Sequence, residues 1–150
     1  MVEPGLTNEK TWLVDEKHLA SAFGSGLVDV LATPVLVGFC EETARSAVDP
    51  FLGKGQKTVG TSITLQHTAA TPPGMRVTVR ARLVEVEKRR LRFVIDARDE
   101  LEPIGEAEHE RFIIDTERFE RRVAEKRLKS ASLPNSAGNR PHQSPTTSSQ

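Results

Sequence analysis

The chain has 150 residues, the size of a single domain, and its 21 lysines and arginines balance 21 aspartates and glutamates. Balanced charge argues against a nucleic-acid or membrane surface built on bulk charge, and no apolar run approaches the roughly 18 residues of a membrane span. Cys40 is the single cysteine, so no intramolecular disulfide can form, and the acidic N-terminus lacks the apolar core of a signal peptide. Both features fit a reducing cytoplasm.

A short strand is predicted at about 9–14. The segment TPVLVGFCEETARSAV, 33–48, follows as a long helix, with Val37, Phe39, Cys40, Ala44 and Val48 at helical spacing. Thr33-Pro34 reads as a start signal, an N-cap hydroxyl followed by a proline in the first turn. Asp49-Pro50 closes the helix, because a residue before proline disfavours helical backbone.

Four strand-like stretches come next. In 57–68 Val59, Ile63 and Leu65 share one parity and predict one apolar face. TPPG, 71–74, is a turn. In 76–87 Val77, Val79, Ala81 and Leu83 alternate with polar residues, and in 91–100 Leu91, Phe93, Ile95 and Ala97 do the same. Lys88, Arg89 and Arg90 make the polar turn between them. The last strand is 104–114, and 115–128 is an amphipathic helix with Phe119 and Val123 four residues apart. Sequential strands joined by short turns predict a twisted antiparallel sheet on which the long helix buries its apolar stripe. This α+β arrangement is the hot-dog architecture, with a C-terminal helix added. A sheet covered on one face by one helix leaves an edge and a face open, so a homodimer, or a dimer of dimers, is expected. Residues 1–130 are predicted to form the domain. Residues 131–150 are rich in Ser, Thr, Pro, Asn and Gly and predict a disordered polar tail that includes His142.

Four residues interrupt these patterns. His67 has the parity of the apolar face of its strand. It reads either as a core histidine bonded to a carbonyl or as a base, since a partly buried imidazole titrates near neutrality. Arg111 shares an inward face with Ala107, His109 and Ile113, opposite the exposed ladder Glu106, Glu108, Glu110. An inward arginine needs an acid on the helix or in a second subunit, or else a substrate carboxylate, phosphate or carbonyl. Glu41 lies mid-helix near the apolar stripe, and taken alone reads as a solvated acid. Thr33 is explained as a cap, yet a hydroxyl at a helix N-terminus sits among free N–H donors that can stabilise an oxyanion. Thr33 and Glu41 are eight residues apart, about 12 Å along the helix, so their side chains cannot touch. A histidine from the adjacent strand could bridge them, or the site could draw on both subunits.

The stretches ATPVLVGFCEETA (32–44), VGTSITLQHTAATPPGMRVTV (59–79) and IGEAEHERFII (104–114) resemble the fluoroacetyl-CoA thioesterases and their hot-dog relatives, with HTAATPPG as the most specific run. The resemblance extends from about residue 8 to 128. It implies hydrolysis of a small acyl-CoA by a Thr–Glu–His set, carried over here onto Thr33, Glu41 and His67. It further implies that Gly60 lies against the acyl group, that Arg111 meets the substrate, and that the enzyme is a homodimer needing no metal and no cofactor beyond the coenzyme A of its substrate. The chain departs from the family in two places. Fluoroacetyl-specific members carry aromatic residues over the acyl site before the long helix, where Gly24, Gly26 and Leu27 stand here, with Phe23 the single aromatic. The likeness therefore does not extend to selectivity for a fluorinated acyl group. Pro34 replaces a small residue and removes one N–H from the helix start.

Two other functions compete with this one. A non-catalytic acyl-CoA-binding module or sensor on the same fold would bind without turnover. A hot-dog hydratase would need an Asp-x-x-x-x-His pattern before the main helix, and His18 follows Asp15 by only three residues. No Gly-rich phosphate loop, CxxC or HExxH pattern is present, so nucleotide hydrolysis and zinc chemistry have no support.

Overall fold

The structure is a computed structural model and describes residues 1–134; of the expected tail, residues 135–150 lie outside the described residues. Met1–Thr116 form one compact unit, and a second begins at Glu117. In chain order the elements are β1 (Thr7–Leu13), α1 (Ala20–Phe23), α2 (Thr33–Val48), β2 (Gln56–His67), β3 (Arg76–Glu87), β4 (Arg90–Arg98), β5 (Pro103–Asp115) and α3 (Thr116–Ala131). The expected elements are all present, and the strand 76–87 has the expected bounds.

All five strands pair antiparallel, in the order β1-β3-β4-β5-β2. The expectation that strands pair in sequence holds for β3, β4 and β5 but fails for β2. This strand lies three places from β3, paired with β5 along the opposite edge. Pro72 and Pro73 in the β2–β3 connection have no N–H to continue a ladder, so the chain crosses the sheet instead of folding back in a hairpin. β3 and β4 do form a hairpin, turning at Lys88 and Arg89, with Lys88 in the left-handed region at φ 56.

The core lies between α2 and the sheet. Val77, Val79, Ala81 and Leu83 from β3 and Leu91, Phe93, Ile95 and Ala97 from β4 are buried as alternation predicts. Each large apolar side chain so buried stabilises the fold by about 1.5–3 kcal/mol. On α2 the buried residues are Leu36, Phe39, Cys40, Thr43, Ala44, Ala47 and Val48. The predicted stripe is thus corrected at one position: Val37 is half-buried at its margin and Leu36 takes the core position. The Thr43 hydroxyl is satisfied by the Phe39 carbonyl one turn back, at 2.7 Å. Asn8 donates to the Thr43 carbonyl at 3.1 Å and ties β1 to the helix. Trp12 stacks on Phe39 with centroids 4.2 Å apart.

β2 corrects a second expectation. A register shift between Gly60 and Ser62 places an extra residue in the strand. Beyond it, Ile63, Leu65 and His67 face inward opposite His109, Ala107 and Gly105. Before it, the inward residues are Thr58 and Gly60, opposite Ile113 and Arg111. Val59 therefore belongs to the outer face with Phe112, not to the apolar face.

Asp99, in the β4–β5 turn, is a buried carboxylate with three donors. Leu101 and Glu102 donate backbone N–H at 2.8 and 3.0 Å, and the Thr71 hydroxyl donates at 2.9 Å. The Thr71 carbonyl in turn accepts from Leu31 N–H at 2.9 Å, so Asp99 indirectly steadies the approach to Thr33. Burial raises the Asp99 pKa, but the Leu101 and Glu102 amides, Thr71 and Arg98 outweigh it and hold the carboxyl below its ordinary value. A carboxyl with a depressed folded pKa stabilises the protein at neutral pH, and that contribution fades as pH falls through the carboxylate range. Asp99→Ala is expected to cost about 2 kcal/mol at pH 7. The gap between variant and wild type should narrow below about pH 4, as urea melts at the two pH values will read.

The second unit contains most of α3. No residue of this helix is buried, and Arg121 pairs with Glu117 one turn back at 3.4 Å. Phe119 and Val123 are exposed. Among the described residues no helix is long and apolar enough to cross a membrane.

Candidate active site

The cap of helix α2 lies one residue earlier than the sequence suggests. Ala32 is its N-cap, with extended backbone (φ −69, ψ 138) and no side chain to donate or accept. Ala32 is fully buried, and its N–H bonds to the His18 carbonyl at 2.8 Å, which sets the entry of the chain. Thr33 is thus not a cap but the first helical residue, and its hydroxyl is free for another task. It meets His67 Nδ1 at 2.8 Å, from the last residue of β2. The Val35 and Leu36 N–H groups both turn to the Ala32 carbonyl at 3.1 Å, and Pro34 has none, so the first turn keeps few donors for an oxyanion.

His67 Nε2 is buried and has no hydrogen-bond partner of normal geometry among the described residues. Burial lowers the His67 pKa, partly offset by the backbone of Ala69, so the ring is neutral and able to accept a proton at pH 7. Thr33 and His67 line a pocket of about 290 Å³. Beside it, the loop between α1 and α2 is pinned at its base, where Ala20 N–H bonds Val30 carbonyl at 2.8 Å. Its tip is open and apolar: Leu27 and Val28 are exposed, Leu27 at 98%, as is Phe23 at the end of α1.

The remaining candidate residues gather elsewhere, toward the middle of α2. Arg111 on β5 is buried and donates from Nε to the Thr58 hydroxyl at 2.8 Å and from Nη2 to the Thr58 carbonyl at 3.1 Å. Its Nη1 reaches Glu41 Oε2 at 3.4 Å and His109 Nε2 at 3.1 Å. Burial pulls the Arg111 pKa down and Glu41 pulls it up; the guanidinium remains charged, as arginine does in proteins. Its inward charge therefore has the acid on the helix that the sequence called for. Glu41 is only half-buried, its side chain 44% exposed, so it is open to a ligand while Arg111 holds it. Both residues line a groove of about 620 Å³ beside Trp12 and Phe39.

Gly60 completes this cluster because nothing larger fits. A Cβ at Gly60 would lie 2.6 Å from Glu41 Oε2, closer than real contacts come, and 3.3 Å from Arg111 Nη1 and His109 Cε1. The carboxylate is the mobile end of a half-exposed side chain, so it would swing away rather than unfold the protein. Gly60→Ala is expected to push the Glu41 carboxylate off Arg111 while thermal melting moves little. A crystal structure and a melt of the variant test both halves of the statement.

Thr33 and His67 thus touch, and Glu41, Gly60 and Arg111 touch, but one chain does not join the two groups. His67 does not reach Glu41. Two contributors escaped sequence reasoning. His109 shares the inward parity of Arg111, and a histidine there was a usable signal. Thr58 was hidden by the bulge, for which Gly60 inside a strand is the usual mark. Cys40, buried beside this region, has its thiol pushed up to about 12 by burial, with Glu41 adding to the effect, so it is not a nucleophile. Among the described residues no cluster of histidine, cysteine and acids converges as a metal-ligand set.

The family model described as FlK, fluoroacetyl-CoA-specific thioesterase, matches residues 14–117. The chain belongs to the fluoroacetyl-CoA-specific thioesterase family. A fluoroacetyl-CoA thioesterase of Streptantibioticus cattleyicolor is 44% identical over 98 residues, covering 65% of this chain and 70% of that protein. A solved structure of the fluoroacetyl-CoA thioesterase FlK superposes with a TM-score of 0.79 at 34% identity, over 84% of this chain and 98% of that one. A hypothetical protein of Thermus thermophilus, a thioesterase superfamily member, superposes with a TM-score of 0.78 at 28% identity over 87% of this chain and 96% of its own. Within this thioesterase family the sheet and long helix described above are the hot-dog fold.

Proposed function

We propose that this protein is an acyl-CoA thioesterase that hydrolyses a small acyl-CoA to the free acid and coenzyme A, with Thr33, His67 and Glu41 at the reacting centre and Gly60 and Arg111 at the substrate. The observation that carries the reading is the 2.8 Å contact between the Thr33 hydroxyl and His67 Nδ1, at a helix start beside a small pocket. With its proton on Nε2, His67 accepts from Thr33 and polarises the hydroxyl or a water held by it. With water as nucleophile a C–O bond forms at the thioester carbonyl, the C–S bond breaks and the free acid results; with Thr33 as nucleophile the same exchange gives an acyl-threonine, which a water then cleaves to the free acid and the restored hydroxyl. The proton taken by His67 passes to the departing thiolate. Coenzyme A is a fair leaving group, so modest assistance suffices and no other cofactor is required.

The separation of the two clusters favours a site shared between two subunits. β2 is an edge strand with an unpaired side. Antiparallel pairing of that edge with a second copy, about a two-fold axis, brings the His67 end of one strand toward the Gly60 half of the other. In such a pairing Glu41 of the partner subunit would be offered to His67 Nε2. The lone buried thiol suits a reducing cytoplasm.

The test is thiol release from a panel of acyl-CoA thioesters of graded chain length, fluoroacetyl-CoA included. Turnover of the short members, lost in Thr33→Ala, supports the reading. Calorimetric binding across the panel without turnover would instead favour the non-catalytic binding module. Buried Cys40 adds little background to a thiol reagent while the enzyme is folded.

A further inference from the structure

His109 has no part in the chemistry proposed above, yet it is one of the largest fully buried side chains, 1% exposed. A buried imidazole needs a reason, because both ring nitrogens must be satisfied. Here both are. Nδ1 lies 2.7 Å from the Ser62 carbonyl, and Nε2 lies 3.1 Å from Arg111 Nη1. The partners dictate the proton. A carbonyl only accepts, so Nδ1 carries the hydrogen; a guanidinium only donates, so Nε2 carries the lone pair. A proton on Nε2 would face an N–H of Arg111. The carbonyl is aimed by the same bulge that turns Thr58 and Gly60 inward, since the register of β2 shifts between Gly60 and Ser62.

Arg111 is thereby fixed at four points: the Thr58 hydroxyl and carbonyl, Glu41 and His109. The contact with Glu41 is long, at 3.4 Å, and its carboxylate is half-exposed, so a substrate or a second subunit can displace it. The contact with His109 lies in the core and is not displaced. It is the bond that keeps Nη1 aimed once Glu41 takes up another partner. We propose that His109 is a positioning residue that, as the Nδ1–H tautomer anchored on the Ser62 carbonyl, sets the direction in which Arg111 presents its N–H groups to Glu41 and the thioester. The inference rests on the reading of Glu41 and Arg111 as substrate-facing groups.

Full-length His109→Leu and His109→Gln test it, with steady-state kinetics on the best acyl-CoA of the panel. Leucine keeps the bulk and removes both hydrogen bonds; glutamine restores a donor and an acceptor. His109→Leu is expected to lose up to about 100-fold in kcat with KM little changed, and His109→Gln to recover most of it. A His109→Leu enzyme within about twofold of wild type overturns the proposal. So does a His109→Gln enzyme that melts like wild type but is as slow as the leucine variant. Imidazole ¹⁵N spectra supply a readout that needs no turnover and no leucine variant that folds. Wild type should show His109 protonated on Nδ1 alone, and Arg111→Ala should shift the Nε2 resonance. An Nε2–H tautomer, or a resonance indifferent to Arg111, also overturns the proposal. If wild type hydrolyses no member of the panel, the functional reading fails separately, and the spectra still decide whether His109 holds Arg111.

Discussion

His67→Ala is expected to lower kcat by about 10²–10⁴-fold with the protein still folded and KM little changed. The magnitude follows from what the ring is placed to do. It is the group within hydrogen-bond reach of the Thr33 hydroxyl, at 2.8 Å. Its removal leaves no base there for the proton that must leave water or Thr33 as the C–O bond forms. The structural cost is small, because His67 ends its strand, is only half-buried, and among the described residues its Nε2 has no hydrogen-bond partner of normal geometry. Burial lowers the His67 pKa, so the wild-type rate should hold at and above neutral pH and fall on the acid side as the ring takes a proton. The acid limb should be absent from whatever activity His67→Ala retains. Stopped-time thiol release across pH 5–9, with melts on the same samples, measures both. An alanine variant as fast as wild type would remove His67 from the site.

Mixing two dead variants is expected to restore about a quarter of wild-type activity. The pair is Glu41→Ala and His67→Ala, each expected to be nearly inactive as a homodimer. In a site shared between subunits, Thr33 and His67 of one chain work with Glu41, Gly60 and Arg111 of the other. A mixed dimer then has one site carrying both substitutions and one carrying neither. Random exchange makes about half the dimers mixed, and half of their sites intact. If one chain supplied the whole site, every site in the mixture would contain a substitution and no activity would return. Co-refolding or subunit exchange, followed by thiol release, separates the two. The physical ground is distance. About 12 Å of helix axis separates Thr33 from Glu41, and the carboxylate is engaged by Arg111 at 3.4 Å rather than by His67.

The alternation in 76–87 and 91–100 and the helical spacing in 33–48 were enough to define the elements and most of the core, because both patterns report which side faces apolar neighbours. Arg111 was legible as an inward charge that needs an acid, and the acid is Glu41. The motif likeness pointed to the family, and the family match bears that out; Thr33, Glu41 and His67 are carried over from the likeness as part of the proposal. What lay outside the reach of sequence was relational. The placement of β2 beside β5 depends on pairing over a sequence separation that no local pattern encodes. The bulge after Gly60 reverses the parity of Thr58 and Val59, and a period-two count cannot register an extra residue. The role of Thr33 turned on one residue of helix start, where Ala32 is drawn inward by its bond to His18 and frees the hydroxyl for His67. By itself, then, the sequence determined the elements, their buried faces and the family, because periodicity and motif are written along the chain. The tertiary structure alone decided which site residues meet. Contacts such as Thr33–His67 and Glu41–Arg111 join positions 34 and 70 residues apart, and only packing brings those together.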